Sequence, residues 1–158
     1  MTALAKAEEI GVEFTKMGLT LSVAESCTGG LLSSILTSVP GSSAYFLGGV
    51  VSYSNEVKIK VLDVCGKTIE KFGAVSAATA CEMADGVRKA LSSTASLSIT
   101  GVAGPGGGTA EKPVGTVFIA LSFMKRETGV REFFFKGSRD EIRMQSVNAA
   151  LEILTEAL

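Results

Sequence analysis

Leu19-Thr20-Leu21-Ser22-Val23-Ala24 runs without a break into Glu25-Ser26-Cys27-Thr28-Gly29-Gly30, and a leucine-rich stretch then continues to Val39, before Pro40-Gly41. The first six residues read as a short buried strand and the next six as a turn of small residues. The rest, roughly Gly29 to Val39, reads as a helix ended by Pro40-Gly41. Strand, tight turn and helix make the unit from which α/β domains are built. Open α/β folds bind ligands above the carboxyl ends of their strands. The free N–H groups that open a helix can hold an oxyanion or a phosphate there. Ser26, Cys27 and Thr28 are all placed to act as a nucleophile, and the residues alone do not choose among them. In a plain βα turn the Ser and Thr would be helix caps and Cys27 a core thiol.

Outward from this unit the pattern continues. Residues 2–17 read as an amphipathic helix, with Leu4, Ile10, Phe14 and Met17 at near-helical spacing and Gly18 as its stop. Ala44 to Ser54, containing FLGGVVSY, reads as a second strand. Asn55 then caps a helix carrying Val57, Ile59, Val61 and Leu62. Thr68 to Phe72 is a short helical piece. Ser76 caps a longer helix with Met83, Val87 and Leu91 on one spacing. Ala95 to Thr100 is a third strand, leading into the glycine-rich Gly101 to Gly108. Val114 to Phe123 and Gly129 to Lys136 form a hairpin across Lys125–Thr128. Ser138 caps a last helix with Ile142, Val147, Leu151 and Leu154. This order specifies an α/β fold: a three-layer α/β/α sandwich over residues 1–158, one domain, with a mixed sheet of about five strands.

Bulk properties exclude several functions. The net charge is −1 and the 15 basic residues are scattered, so no nucleic-acid footprint exists, although a small phosphate ligand is compatible. No run of about 18 apolar residues suggests a membrane span. Lys6, Glu8, Glu9, Glu13 and Lys16 do not suit a signal peptide, so the cytoplasm is the expected location. The three cysteines form no Cys-x-x-Cys pair, which argues against a disulfide framework or a zinc site. The chain has no histidine. That removes Ser-His-Asp and Cys-His catalysis together with His-based metal sites. Any catalytic base must be Lys, Asp, Glu, Tyr or a terminal amine.

Three further segments carry candidate chemistry. In Tyr53-Ser54-Asn55-Glu56-Val57-Lys58, the lysine falls in the first turn of a helix that follows a strand. The positive end of the helix dipole, and burial if present, lower a lysine pKa, and a neutral lysine can take a serine proton. The plain alternative is a solvated lysine. Gly101 to Gly108 holds five glycines in eight residues but matches neither a dinucleotide fingerprint nor a P-loop. Its backbone, at Gly101, Gly104 and Gly106 for example, can approach a ligand closely, or the segment is a surface loop. Arg139 and Arg143 are four apart and share a helix face, which suits a phosphate or pairing with Asp140 and Glu141. Phe46 either stacks on a planar ring or packs in the core.

Taken jointly, VAESCTGGLLSS, PGSSAYFLGGVVSYSNEVK, GAVS, SITGVAGPGGGTAEKPVGTV and KGSRDEIR resemble the CinA C-terminal domain family over about residues 23–143. The family's stand-alone members include nicotinamide-nucleotide amidase. The resemblance implies a three-layer α/β/α domain with a mixed five-stranded sheet. It also implies hydrolysis of nicotinamide mononucleotide to nicotinate mononucleotide and ammonia, a step of pyridine nucleotide recycling. On the matched positions Ser26 would be the nucleophile and Lys58 the base, with Tyr53 close by. The glycine loop and Arg139 or Arg143 would hold the nucleotide. Thr28, Gly29, Gly30, Phe46 and Asn55 complete the expected substrate contacts. No cofactor or metal is implied. The expected partners are a small nucleotide and a second copy of the chain, in a homodimer or higher homo-oligomer, with no nucleic acid or membrane. The competing reading is a non-catalytic nucleotide-binding or dimerisation domain of the same family.

Overall fold

A computed structural model describes residues 1–158. Helix α1 (Ala3–Met17) leads into β1 (Leu21–Glu25), α2 (Leu31–Thr37), a short 3-10 turn, β2 (Phe46–Val51), α3 (Asn55–Leu62), α4 (Gly66–Phe72) and α5 (Ala77–Leu91). Strands β3 (Ala95–Gly101), β4 (Thr116–Phe123) and β5 (Gly129–Phe134) and helix α6 (Arg139–Glu156) complete the chain. The sheet order is β2-β1-β3-β4-β5. β1 runs parallel to β2 and β3, whereas β3–β4 and β4–β5 are antiparallel, so the sheet is mixed, as expected. α1, α2 and α6 pack together on one face and α3, α4 and α5 on the other.

The two faces are built differently. Facing α1, α2 and α6, the strands contribute Leu21, Val23, Leu97, Ile99, Val117 and Ile119 to the largest apolar cluster. Facing α5, alternate residues of β3 are hydroxylic. Ser96 and Ser98 donate to the carbonyls of Ala84 (2.6 Å) and Ala80 (2.5 Å), and Thr100 donates to that of Ala74 (2.8 Å). Small residues on both sides let the helix approach closely, and each of these three hydroxyls has an acceptor, as burial demands.

Local details depart from the sequence reading. The inward face of α1 is Ala3, Ala7, Ile10, Gly11 and Phe14, while Leu4 and Met17 are 43% and 44% exposed. The tight seat of Tyr45 explains this, since a Cβ on Gly11 would lie 2.9 Å from its ring. Ser54, not Asn55, caps α3, its side chain accepting from the Val57 N–H. α3 turns Lys58 and Leu62 inward and leaves Ile59 and Val61 exposed, against the apolar spacing.

That rotation of α3 depends on Gly86 in α5. A Cβ there would sit 1.9 Å from the Leu62 carbonyl oxygen, at the end of the helix that carries Lys58. Gly86→Ala is expected to destabilise the protein by about 1–3 kcal/mol, because the overlap with backbone outweighs a helix-propensity gain of about 1 kcal/mol. Urea unfolding measures it, and an unchanged or raised midpoint would show that α3 and α5 part without cost.

Candidate active site

Strands β1 and β3 end side by side, and the turn after β1 is held to β3 by the Ser26 N–H donating to the Ile99 carbonyl at 2.9 Å. The chain then reverses into α2 through Gly29 and Gly30, whose φ values of 57° and 103° are left-handed, a conformation glycine adopts without strain. The first N–H groups of α2 are already occupied. The fully buried Glu25 carboxylate accepts from the N–H groups of Leu32 (2.8 Å) and Ser33 (3.0 Å) and from the Ser33 hydroxyl (2.7 Å). Glu25 thus takes the place at this helix start that the sequence reading reserved for an oxyanion or phosphate.

Lys58 is 1% exposed. Its Nζ donates to Ser26 Oγ at 3.2 Å, to the Ser52 carbonyl at 2.7 Å and to the Tyr53 carbonyl at 3.4 Å. No carboxylate is among its partners. Burial pushes its pKa below the ordinary 10.5, because the ammonium form loses hydration without a compensating anion. A neutral amine has two N–H groups and one lone pair. With the two carbonyls taking the N–H groups, the lone pair is left for the Ser26 hydroxyl.

The turn's other two nucleophile candidates are placed differently. Cys27 is 7% exposed and belongs to the main apolar cluster, and burial pushes its thiol up to about 11. The Thr28 hydroxyl is buried and has no hydrogen-bond partner, the lysine included. Only Ser26 meets a base.

A cleft of about 290 Å³ opens over this pair. Ser26, Lys58, Tyr53, Asn55, Gly101, Gly104, Gly106 and Arg139 line it, so these sequence candidates come together. Arg139 spans its rim, donating to the Gly104 carbonyl at 2.8 Å and to the Tyr53 hydroxyl at 3.3 Å. Gly101 is a glycine for an internal reason, since a Cβ would meet the Thr116 carbonyl at 2.8 Å. A Cβ on Gly106 would meet nothing within 4 Å, so no internal contact requires glycine at that position. The amides of Ala103, Gly104, Gly106 and Gly107 donate to no protein group.

The remaining candidates lie elsewhere. Thr28, Gly29 and Gly30 form the turn behind Ser26 without lining the cleft. Phe46 pairs with Leu21 at the opposite end of the sheet and packs on the core. Arg143 points beneath the turn, donating to the carbonyls of Cys27 (3.2 Å) and Thr28 (2.9 Å). Ser52 and Thr100 were not singled out from sequence. Both sit at or beside the carboxyl ends of strands, the same positional signal that drew attention to Ser26. A larger groove of about 450 Å³ beside α1 and the C-terminus is lined by Glu9, Ile10 and Thr155, but the Thr155 hydroxyl donates to the Leu151 carbonyl at 2.9 Å and not to a carboxylate.

The CinA C-terminal domain model matches residues 3–158. The chain is 53% identical over 149 residues to a CinA-like protein of Desulfotalea psychrophila, covering 94% of this chain and 36% of that protein. It therefore spans about a third of the length of such relatives. Among solved structures, the competence/damage inducible protein CihA from Agrobacterium tumefaciens is 42% identical, with a TM-score of 0.95 over 98% of this chain and 94% of that one. The competence damage-inducible protein A (ComA) from Klebsiella pneumoniae is 32% identical, again with a TM-score of 0.95, over 99% and 96%.

Proposed function

This chain belongs to the CinA C-terminal domain family, and from that membership we propose that it is an amidase that hydrolyses nicotinamide mononucleotide to nicotinate mononucleotide and ammonia. The observation that carries the reading is the buried Lys58 amine 3.2 Å from Ser26 Oγ in a chain without histidine. Burying a lysine to 1% exposure without an anion costs stability and favours its neutral form, and a hydroxyl in contact with a neutral amine is what a Ser-Lys hydrolase requires.

In this mechanism neutral Lys58 takes the Ser26 proton as Oγ attacks the carboxamide carbon. The Cys27 amide directly follows the nucleophile, belongs to a residue that lines the cleft and donates to no backbone carbonyl. It receives the oxyanion, an interaction typically worth about 3–4 kcal/mol per donor. Lys58 returns the proton to the leaving nitrogen and ammonia departs. Water, deprotonated by the same amine, then cleaves the acyl-enzyme. The cleft is at the small end of ligand pockets, which run from roughly 300 to 1,000 Å³, and so suits a mononucleotide better than a dinucleotide. Arg139 and the unpaired amides of the glycine loop favour an anionic group at the rim. The protein acts in the cytoplasm, as a homo-oligomer, with this small nucleotide as its partner.

Incubation of the purified chain with nicotinamide mononucleotide tests the reading. The expected result is one ammonia per nicotinate mononucleotide formed. Calorimetric binding of the mononucleotide with no ammonia released would replace the amidase with a nucleotide-binding domain.

A further inference from the structure

Arg139 and Arg143 sit one turn apart at the start of α6, yet they reach different places. Arg139 reaches the cleft rim, whereas Arg143 passes under the nucleophile turn. Its Nε donates to the Cys27 carbonyl at 3.2 Å and its Nη2 to the Thr28 carbonyl at 2.9 Å, while Nη1 lies 3.6 Å from Asp140 Oδ1. Each nitrogen of the guanidinium has a neighbour, which leaves little of it for a phosphate. The two carbonyls belong to residues 7% and 0% exposed, outside any helix or strand. The Cys27 carbonyl has no other donor, the Thr28 carbonyl also accepts from the Leu31 N–H at 3.0 Å, and a rigid planar fork reaches both at once.

The consequence follows from peptide planarity. Fixing a carbonyl also fixes the N–H across the same peptide bond. The Ser26 carbonyl accepts from the Gly29 N–H at 3.1 Å, which sets the Cys27 N–H. Arg143 holds the Cys27 carbonyl and so sets the Thr28 N–H. Together with the Leu31 N–H it holds the Thr28 carbonyl, which sets the Gly29 N–H that closes the loop. A cation on a carbonyl also polarises the peptide and strengthens its N–H as a donor. The charge is felt at this turn: burial pushes the Cys27 thiol up to about 11, and the Arg143 charge pulls against that shift more than the Arg139 charge does.

We propose that Arg143 is a positioning residue for the oxyanion site, its guanidinium gripping the Cys27 and Thr28 carbonyls so that the turn holds the Cys27 amide toward the reacting group. The proposal rests on Ser26 being the nucleophile, as in the function proposed above.

The test compares wild type with Arg143→Met and Arg143→Lys, the second keeping the charge but losing the fork. A fluorophosphonate ester reports the site without a nucleotide. The Ser26 Oγ–P bond forms, the P–F bond breaks, fluoride leaves and the serine proton passes to Lys58, with labelling read by intact mass. Both variants are expected to label about 10- to 100-fold more slowly than wild type. With nicotinamide mononucleotide, kcat should fall by a similar factor while KM changes by less than about 3-fold, because uniform substrate binding is not what is lost. Nicotinamide riboside, which lacks the phosphate, should suffer the same loss. Labelling at the wild-type rate overturns the proposal. So does a loss confined to the mononucleotide and expressed in KM, which makes Arg143 a phosphate ligand. If wild type labels but releases no ammonia, the amidase reading fails and the labelling comparison still decides the role of Arg143. If wild type does not label, both fail, since an unreactive Ser26 leaves Arg143 nothing to position. Should the Met variant not fold, as judged by thermal melting, the Lys variant carries the comparison.

Discussion

Ser26→Ala is expected to lower kcat for ammonia release by between about 10⁴- and 10⁶-fold, the range seen when an activated serine nucleophile is removed. The variant should remain folded. The Ser26 hydroxyl has one protein partner, Lys58, and the lysine keeps its bonds to the Ser52 and Tyr53 carbonyls. Loss of one such hydrogen bond is worth about 1 kcal/mol. Cys27→Ala is the contrast. With its thiol pushed up to about 11, Cys27 holds on the order of one thiolate per thousand at pH 8. It should be dispensable for chemistry, at the cost of some packing. Single-turnover kinetics on both variants decide the matter. Near-normal chemistry in Ser26→Ala would remove the serine from the mechanism, whatever the cysteine variant does.

Lys58→Met is expected to lower kcat by about 10²- to 10⁴-fold, the usual contribution of a positioned general base. Two pH effects should disappear with it. In wild type the rate rises with pH through the Lys58 pKa, because only the neutral amine accepts the serine proton. Burial lowers that pKa, so the acid limb lies below the ordinary lysine value of 10.5. A rate profile flat from pH 5 to 9, with chemistry rate-limiting, would argue against Lys58 as the base.

Stability carries the same signature with a definite sign. Between the lowered folded-state pKa and 10.5, the unfolded chain holds a proton on Lys58 that the folded chain lacks. Folding stability from this group therefore rises with pH across that window and is lowest beneath it. Lys58→Met should flatten that rise in urea titrations, because methionine fills a similar volume and binds no proton. An equal slope in both proteins would mean that the lysine is charged in the native state.

Several features of the site were legible in the residues. The absence of histidine narrowed the base to a few side chains, and strand-end placement drew attention to the Ser26–Thr28 turn and to Lys58. Other features were not, and the reasons are specific. Ile59 and Val61 have the apolar character of inward residues, but the contact of Gly86 with the Leu62 carbonyl sets the rotation of α3 and turns Lys58 inward instead. Arg139 and Arg143 are equivalent by spacing. Only the position of α6 against the nucleophile turn separates a rim residue from one beneath it. Phe46 lies in a motif with Tyr53, yet a strand of six residues separates the two ends of the sheet on which they sit.

Local pattern determined the order of elements, the caps at Ser76 and Ser138, the hairpin between β4 and β5, and hence the mixed α/β sheet. These depend on side-chain periodicity and backbone preference within a few residues, which a sequence displays directly. Tertiary structure decided which of three adjacent nucleophiles meets a base, that the base is buried, and that Glu25 rather than a ligand takes up the start of α2. Those outcomes depend on groups far apart in the chain: Ser26 and Lys58 are 32 residues apart, and Thr28 and Arg143 are 115 apart. Burial and long-range hydrogen bonding set their chemistry, and neither exists until the layers have packed.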